Sequence, residues 1–275
     1  MKEITIGQYY PVESCIHSLD PRTKILATIF LIAFIFVSKT FAGLFISALF
    51  VFAIAIIGKI PLKKLLSSLN AIYFILIFTF LLNAFFIKDG KTIFSWWIFT
   101  LTYGGIVRAV FMALRLMLLI ISAGLLTLTT SPIQLTDGIE KLLSPLKVIG
   151  FPAHEIAMMM SIALRFIPIL TEENDKIMKA QSARGAVFDE GNLFKRAKAI
   201  VALIVPLLAS AFHRALELAG AMEARCYHGG EGRTRLKILK MQKADCAAFI
   251  VILLFGAIII TDNIVLSKIF PFLVG

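Results

Sequence analysis

Charge is scarce in this chain. Only 16% of its 275 residues are Asp, Glu, Lys or Arg, against about 25% in an ordinary soluble domain. Acidic residues are the rarer sign, 17 against 28 Lys and Arg. Cysteine is nearly absent. Cys15, Cys226 and Cys246 offer neither a closely spaced metal pair nor an even disulfide framework, and nothing asks for an oxidising compartment. The four histidines, His17, His154, His213 and His228, are scattered and read as polar surface or interface residues. The signatures G-x-x-x-x-G-K-[S/T], H-E-x-x-H, C-x-x-C and G-x-S-x-G are all missing, so no phosphate cradle, zinc helix, redox pair or nucleophile elbow is expected. An enzyme is disfavoured, and neither a cofactor nor a metal is called for. A cleavable leader is not expected either, because Glu3, Glu13, Asp20 and two prolines precede the first apolar run.

What the chain has is apolar surface. Its apolar fraction is 59% and its mean hydropathy +0.89. One soluble core cannot hide that much, since small domains leave a large share of their surface exposed. The chain therefore reads as an all-α integral membrane protein. Five spans are expected: Ile25–Val37, Phe41–Ile57, Leu65–Ile87, about Ile106–Thr129, and Ala247–Ile260, with Cys246 as a candidate start. The first two are short for a hydrocarbon layer of about 30 Å, and flanking Lys residues can snorkel to extend them. Between the third and fourth, the polar connection 88–105 carries Trp96, Trp97 and Tyr103, residues suited to a headgroup belt.

Composition changes at residue 131. Segment 131–245 holds 16 Lys and Arg and 12 Asp and Glu, a roughly soluble density of charge. It nevertheless contains apolar residues at helical spacing. Ile156, Met159, Met160, Ala163, Ile167 and Leu170 lie on one face of a helix starting after Pro152. Leu193, Ala197, Ile200, Ile204, Leu207 and Leu208 do so in a second. Each reads as about 30–35 residues long, with both helices running in parallel and partly in the membrane interface. A shorter helix, Leu135–Val148, is broken at Pro145. Residues 1–130 are thus a membrane part, 131–245 a cytoplasmic helical domain and 246–275 a last span. Lys and Arg number 22 in segments 2–24, 59–64 and 131–245, against Lys39, Lys88, Lys91 and Lys268 on the other side. Positive loops stay inside, so the N-terminus and the helical domain are expected in the cytoplasm. The net charge of +11 belongs to those loops; no nucleic-acid partner is called for.

Within the spans only Arg115, Arg108 at an edge and Asn83 are polar candidates for a permeation path. The membrane part reads as a scaffold, with Arg115 paired to a neighbouring helix.

An internal repeat at an offset of 41 residues carries more information. Ala180-Gln181-Ser182-Ala183-Arg184 aligns with Ala221-Met222-Glu223-Ala224-Arg225, and Glu190-Gly191 with Glu231-Gly232. Each Ala-x-x-Ala-Arg is expected to close a long helix. Gly185 can adopt the left-handed conformation that ends helices; Cys226 stands at the matching place. Alanines keep each tip thin, and Arg adds a planar fork able to bind carboxylates or carbonyls bidentately. Two such tips would be two plugs. The plainer alternative is that each Arg only complements a helix dipole, worth about 0.3–1 kcal/mol. Ala211, Ala215 and Ala219 form a small-residue stripe along the second helix. It suits either ordinary packing or a rigid crossing of the two helices. Two function classes fit: a coupling subunit, or an autonomous secondary transporter or channel with a regulatory helical domain.

Taken together, the spans, the two Arg-tipped helices and the last span resemble the transmembrane T component of energy-coupling factor vitamin and metal transporters, the CbiQ-like family. The motifs that carry the resemblance are Leu19-Asp20-Pro21-Arg22-Thr23-Lys24, Arg165-Phe166-Ile167-Pro168, Ala183-Arg184-Gly185 and Ala224-Arg225-Cys226. It implies a non-catalytic coupling subunit in a prokaryotic cell membrane. Its partners would be two cytoplasmic ABC-type ATPases and a membrane-embedded substrate-binding S component. Ala183, Arg184, Gly185, Ala224, Arg225 and Cys226 would dock in the ATPase grooves. Cys226 replaces the family glycine, which questions the ending of the second tip but not its Arg.

Overall fold

The computed structural model describes residues 9–70, 72–87, 92–96, 99–186, 188, 193–229 and 241–269. Its contacts divide the chain into two compact units. One comprises residues 7–138 with 239–275 and is called the membrane unit here; the other is built from residues 139–238.

The membrane unit begins with α1 (Pro21–Val37), set by local chemistry: Asp20 accepts the backbone N–H of Arg22 at 2.9 Å, and Pro21 occupies the first turn. There a proline loses no helical hydrogen bond. In α2 (Phe41–Ile57) the cap is Thr40, whose hydroxyl accepts the Gly43 N–H at 3.0 Å. The expected third span is not one rod. It is α3 (Leu62–Asn70) and α4 (Tyr73–Phe86), bent by 66° at the break between them. The 88–105 connection departs from an all-helical chain, because it holds an antiparallel hairpin of β1 (Thr92–Trp96) and β2 (Phe99–Thr102), with Trp96 opposite Phe99. Strand-forming Thr, Ile, Phe and Trp there outweigh the polar flanks. Trp97, Lys88, Lys91 and the Trp96 side chain lie outside the described residues; Tyr103 is exposed. Next come α5 (Tyr103–Thr129), capped by Thr102 on Gly105, and α6 (Pro132–Leu143), which ends in a 3-10 turn (Ser144–Ile149) with Pro145 in its first turn, as the sequence suggested. The second unit consists largely of α7 (Ala153–Ala183) and α8 (Leu193–Ala224); α9 (Lys243–Ile269) returns to the membrane unit.

The long central helix α5 packs against α1, α2, α3 and α4, while α9 packs against α1 and α2. Ile35, Val51, Phe111, Leu128 and Ile259 are almost fully buried between them. Aromatic rings fill the gaps: Phe50 stacks on Phe255 at 4.4 Å, and Phe41 meets Phe111 edge-on at 5.0 Å, spacings at which ring quadrupoles attract.

Polar contacts pin this unit at both ends of α1. Near its C-terminus Arg115 donates to the Ser38 carbonyl, with its guanidinium 4.7 Å from the Phe111 ring. Thr40 donates to Asp262, Asn263 accepts from the Lys39 N–H at 2.9 Å, and Asn263 donates to the Val37 carbonyl at 2.9 Å. Arg115 is therefore a structural partner of the α1–α2 turn. Asn83 donates to the Thr79 carbonyl one turn earlier, at 2.8 Å, a bond local to its own helix.

Among the described residues four helices are long and apolar enough to cross a membrane, or five if α3 and α4 count as one broken span. The number agrees with the expectation; the membership does not. The set contains α5, α7, α8 and α9. It omits α1 and α2, which at 17 residues each are about 25 Å long at 1.5 Å per residue. Length and hydropathy therefore leave the side of the membrane on which residues 184–192 lie to charge placement. In a chain whose three native cysteines are replaced by serine, a single cysteine introduced at Phe188 decides it. With α7 and α8 both cytoplasmic, a membrane-impermeant maleimide should label position 188 only after the cells are permeabilised. Labelling in intact cells would mean that α7 and α8 cross the bilayer.

Candidate docking site

The two repeats end their helices with one and the same hydrogen-bond pattern. In the first, α7 stops at Ala183. The Gly185 N–H donates to the Ser182 carbonyl at 2.9 Å and the Ala186 N–H to the Gln181 carbonyl at 3.0 Å. In the second, α8 stops at Ala224. The Cys226 N–H donates to the Glu223 carbonyl at 2.9 Å and the Tyr227 N–H to the Met222 carbonyl at 3.1 Å. This crossed pair of bonds is the Schellman ending, which satisfies terminal carbonyls by turning one residue left-handed. Gly185 has φ +87° and Cys226 φ +55°. Cys226 thus takes the same turn as Gly185, with a Cβ in a region where a side chain costs about 1–2 kcal/mol. The doubt raised by the missing glycine is answered in favour of an equivalent geometry.

Ala183, Arg184, Gly185, Ala224, Arg225 and Cys226 are all exposed. Among the described residues neither the Arg184 nor the Arg225 guanidinium has a hydrogen bond or ion pair. Each tip therefore presents five N–H donors beside small neighbours. Glu190, Gly191, Glu231 and Gly232, the outer part of the repeat, lie outside the described residues.

α7 and α8 have 31 and 32 residues, as the periodicity suggested, but they run antiparallel rather than parallel. Gln181 near the end of α7 donates to the Ala202 carbonyl near the start of α8 at 3.3 Å. Glu173 pairs with Arg214 at 3.0 Å. Met158 and Ile162 share a cavity of about 440 Å³ with Met222, Arg225 and Tyr227. The Arg225 tip thus sits beside the start of α7. Arg184 lies 26 residues beyond Met158, about 40 Å away at 1.5 Å per residue. The alanine stripe lies on the side of α8 that meets α7, as its spacing suggested. Ile162, Phe166 and Leu170 face Ala211, Ala215 and Ala219 across a cavity of about 280 Å³. Met159, Met160, Ile167, Ile200, Ile204 and Leu208 are exposed instead, and the Leu193 side chain lies outside the described residues. Ala211 is half-buried and Ala215 and Ala219 are exposed along this cleft, while the bulkier apolar residues are left for other surroundings. The Glu173–Arg214 pair escaped sequence reasoning; its one signal was an arginine set among those alanines.

No group of three His, Cys, Asp or Glu able to hold a metal occurs among the described residues. His17 bonds to Ser14, His154 to Glu140 and His213 to Glu217, in three separate places. The three cysteines are free and exposed.

Apolar helices long enough to cross a membrane, a core pinned by polar contacts and a second unit of two long helices define a multi-helix membrane protein. Residues 12–236 match the family model described as CbiQ, cobalt transport protein. The chain is 55% identical over 250 residues to the energy-coupling factor transporter transmembrane protein EcfT of Thermosediminibacter oceani, covering 91% of this chain and 94% of that one. It is 54% identical to the protein of that name from Ruminiclostridium cellulolyticum (89% and 91% covered) and 44% identical to that of Bacillus subtilis (94% and 98%). The chain belongs to the CbiQ family.

The matched endings make a local prediction. Nothing lies within 4 Å of a Cβ placed on Gly185, so Gly185→Ala adds only left-handed strain, about 1–2 kcal/mol. Hydrogen exchange of the Ala186 amide should accelerate by roughly tenfold at that cost, while Cys226→Gly should leave the Tyr227 amide equally or better protected. Unchanged exchange at Ala186 would mean that the left-handed ending does not hold the tip.

Proposed function

We propose that this chain is the non-catalytic transmembrane coupling subunit of an energy-coupling factor transporter in a prokaryotic cell membrane. It links ATP hydrolysis by two cytoplasmic ABC-type ATPases to uptake of a vitamin or metal ion through a membrane-embedded S component. The observation that carries the proposal is the pair of matched, exposed arginine tips. Each is closed by the same backbone turn, each lacks a partner among the described residues, and they stand at opposite ends of one helix pair. The names of the relatives supply the transporter; the tips supply a means of coupling.

In this mechanism each guanidinium enters a groove lined by carboxylates or carbonyls, where its planar fork bonds bidentately. Two tips about 40 Å apart by helix rise reach two sites at once, as a pair of ATPase subunits would offer. When ATP binding draws the ATPases together, the tips are displaced. The Glu173–Arg214 pair and the alanine stripe keep α7 and α8 moving as one body. Exposed Val201, Val205, Leu208, Phe212 and Leu216 on α8 form an apolar stripe suited to the membrane interface or the S component. The Lys and Arg imbalance supports a cytoplasmic N-terminus and a cytoplasmic helix pair. ATP chemistry belongs to the partners.

The test is charge reversal at the tips. Arg184→Glu and Arg225→Glu should each weaken ATPase capture, because truncating one side of a desolvated charge contact costs about 2–5 kcal/mol. The double variant should lose far more, since either contact raises the effective concentration of the other. Insertion should be normal. Pull-down of the ATPases and uptake in cells are the readouts. A double variant that assembles and transports like wild type would reduce the arginines to dipole complements.

A further inference from the structure

The Leu19–Lys24 motif does more than start a helix. The chain leaves the membrane unit after Gly138 and re-enters it at Leu239, and the membrane-unit ends of both connections are fastened to the first turn of α1. On the outgoing side, the Lys24 ammonium donates to the carbonyl of Thr129, the last residue of α5, at 3.1 Å and to that of His17 at 2.9 Å. A few residues on, Gly138 lies so close to α1 that a Cβ there would stand 2.9 Å from Ile25 Cδ1 and 3.1 Å from Pro21 Cβ. On the returning side, Asp245 in the first turn of α9 is 1% exposed. One of its carboxylate oxygens accepts the Asp20 N–H at 2.8 Å and the other the Gln242 N–H at 2.7 Å. Asp20 and Lys24 are themselves nearly fully buried. Charged groups are buried at such cost that they persist where paired and hydrogen-bonded.

Capping α1 needs only Asp20 and Pro21. It does not need a buried lysine on the end of α5, a glycine pressed on Pro21, or a carboxylate from 225 residues away. We infer that Asp20, Lys24, Gly138 and Asp245 form a clamp that holds both connections of the helix pair to one turn of α1. Displacement of α7 and α8 is then delivered to the membrane helices instead of being lost in slack connections. These are positioning residues. The clamp rests on the coupling role proposed above, and it adds a place where force enters the membrane unit.

The experiment uses the whole complex, purified from native membranes through a tag on this chain and reconstituted in vesicles, with ATP hydrolysis and uptake measured on one preparation. Asp245→Asn keeps size but removes charge and one acceptor. Gly138→Ala adds the crowding Cβ, and Gly138→Ala with Ile25→Val removes the nearest atom again. Asp245→Asn and Gly138→Ala should still capture the ATPases and hydrolyse ATP, while uptake per ATP falls roughly 2- to 30-fold, the range of coupling changes produced away from binding sites. Ile25→Val should restore most of the loss in the alanine variant. Wild-type uptake per ATP in both single variants would overturn the clamp. So would a fall in assembled complex with uptake per ATP unchanged, which marks a purely structural role. If Asp245→Asn does not insert, the glycine variant and its rescue decide alone. A wild-type chain that captures no ATPase would refute the coupling role itself, an outcome distinct from these.

Discussion

A helix leaves four N–H groups and four carbonyls without partners at its ends, and most of the polar structure of this chain answers that constraint. In the membrane unit the answers come from far along the sequence. Asp245 and Lys24 gather the ends of α1, α5 and α9, and Arg115, Asp262 and Asn263 gather the turn between α1 and α2. At the ends of α7 and α8 the backbone answers alone, by turning Gly185 and Cys226 left-handed. That economy leaves Arg184 and Arg225 unused by their own helices and exposed. What sets the two arginines apart from other exposed charges is their matched place at two identical helix endings.

Much of this could be read in the residues. The two helix endings followed from the 41-residue repeat, because Ala-x-x-Ala-Arg fixes where periodicity stops. The lengths of α7 and α8 followed from apolar spacing. Their direction did not. The Gln181–Ala202 and Glu173–Arg214 contacts join residues 21 and 41 positions apart, and helical periodicity carries no signal of such pairings. The side of α8 that meets α7 was legible, because the four-residue spacing of Ala211, Ala215 and Ala219 marks a face that another helix can approach, and those residues line the cleft against Ile162, Phe166 and Leu170. The break between α3 and α4 follows Ser67, Ser68 and Asn70, with no proline or glycine to mark it.

Arg115 shows the same limit from the other side. An arginine in an apolar helix can serve as a transport residue or a strut, and the sequence favoured the strut without naming its partner. Three-dimensional contacts settle the matter by giving its donors a backbone carbonyl and its face two aromatic rings. The second left-handed residue, Cys226, is legible only afterwards: small size was visible, but its turn was not. The chain belongs to the CbiQ family, and in the proposed coupling role the antiparallel pair would act as a strut between its two arginine tips.

The central claim is that each tip meets its own ATPase. A photo-crosslinking amino acid at Arg184, at Arg225, or at both positions of one chain tests it directly in the assembled complex. Each single position should yield one chain joined to one ATPase subunit, and the doubly substituted chain should yield one chain joined to two. Crosslinks from neither tip, or from both tips to one and the same ATPase copy, would contradict it.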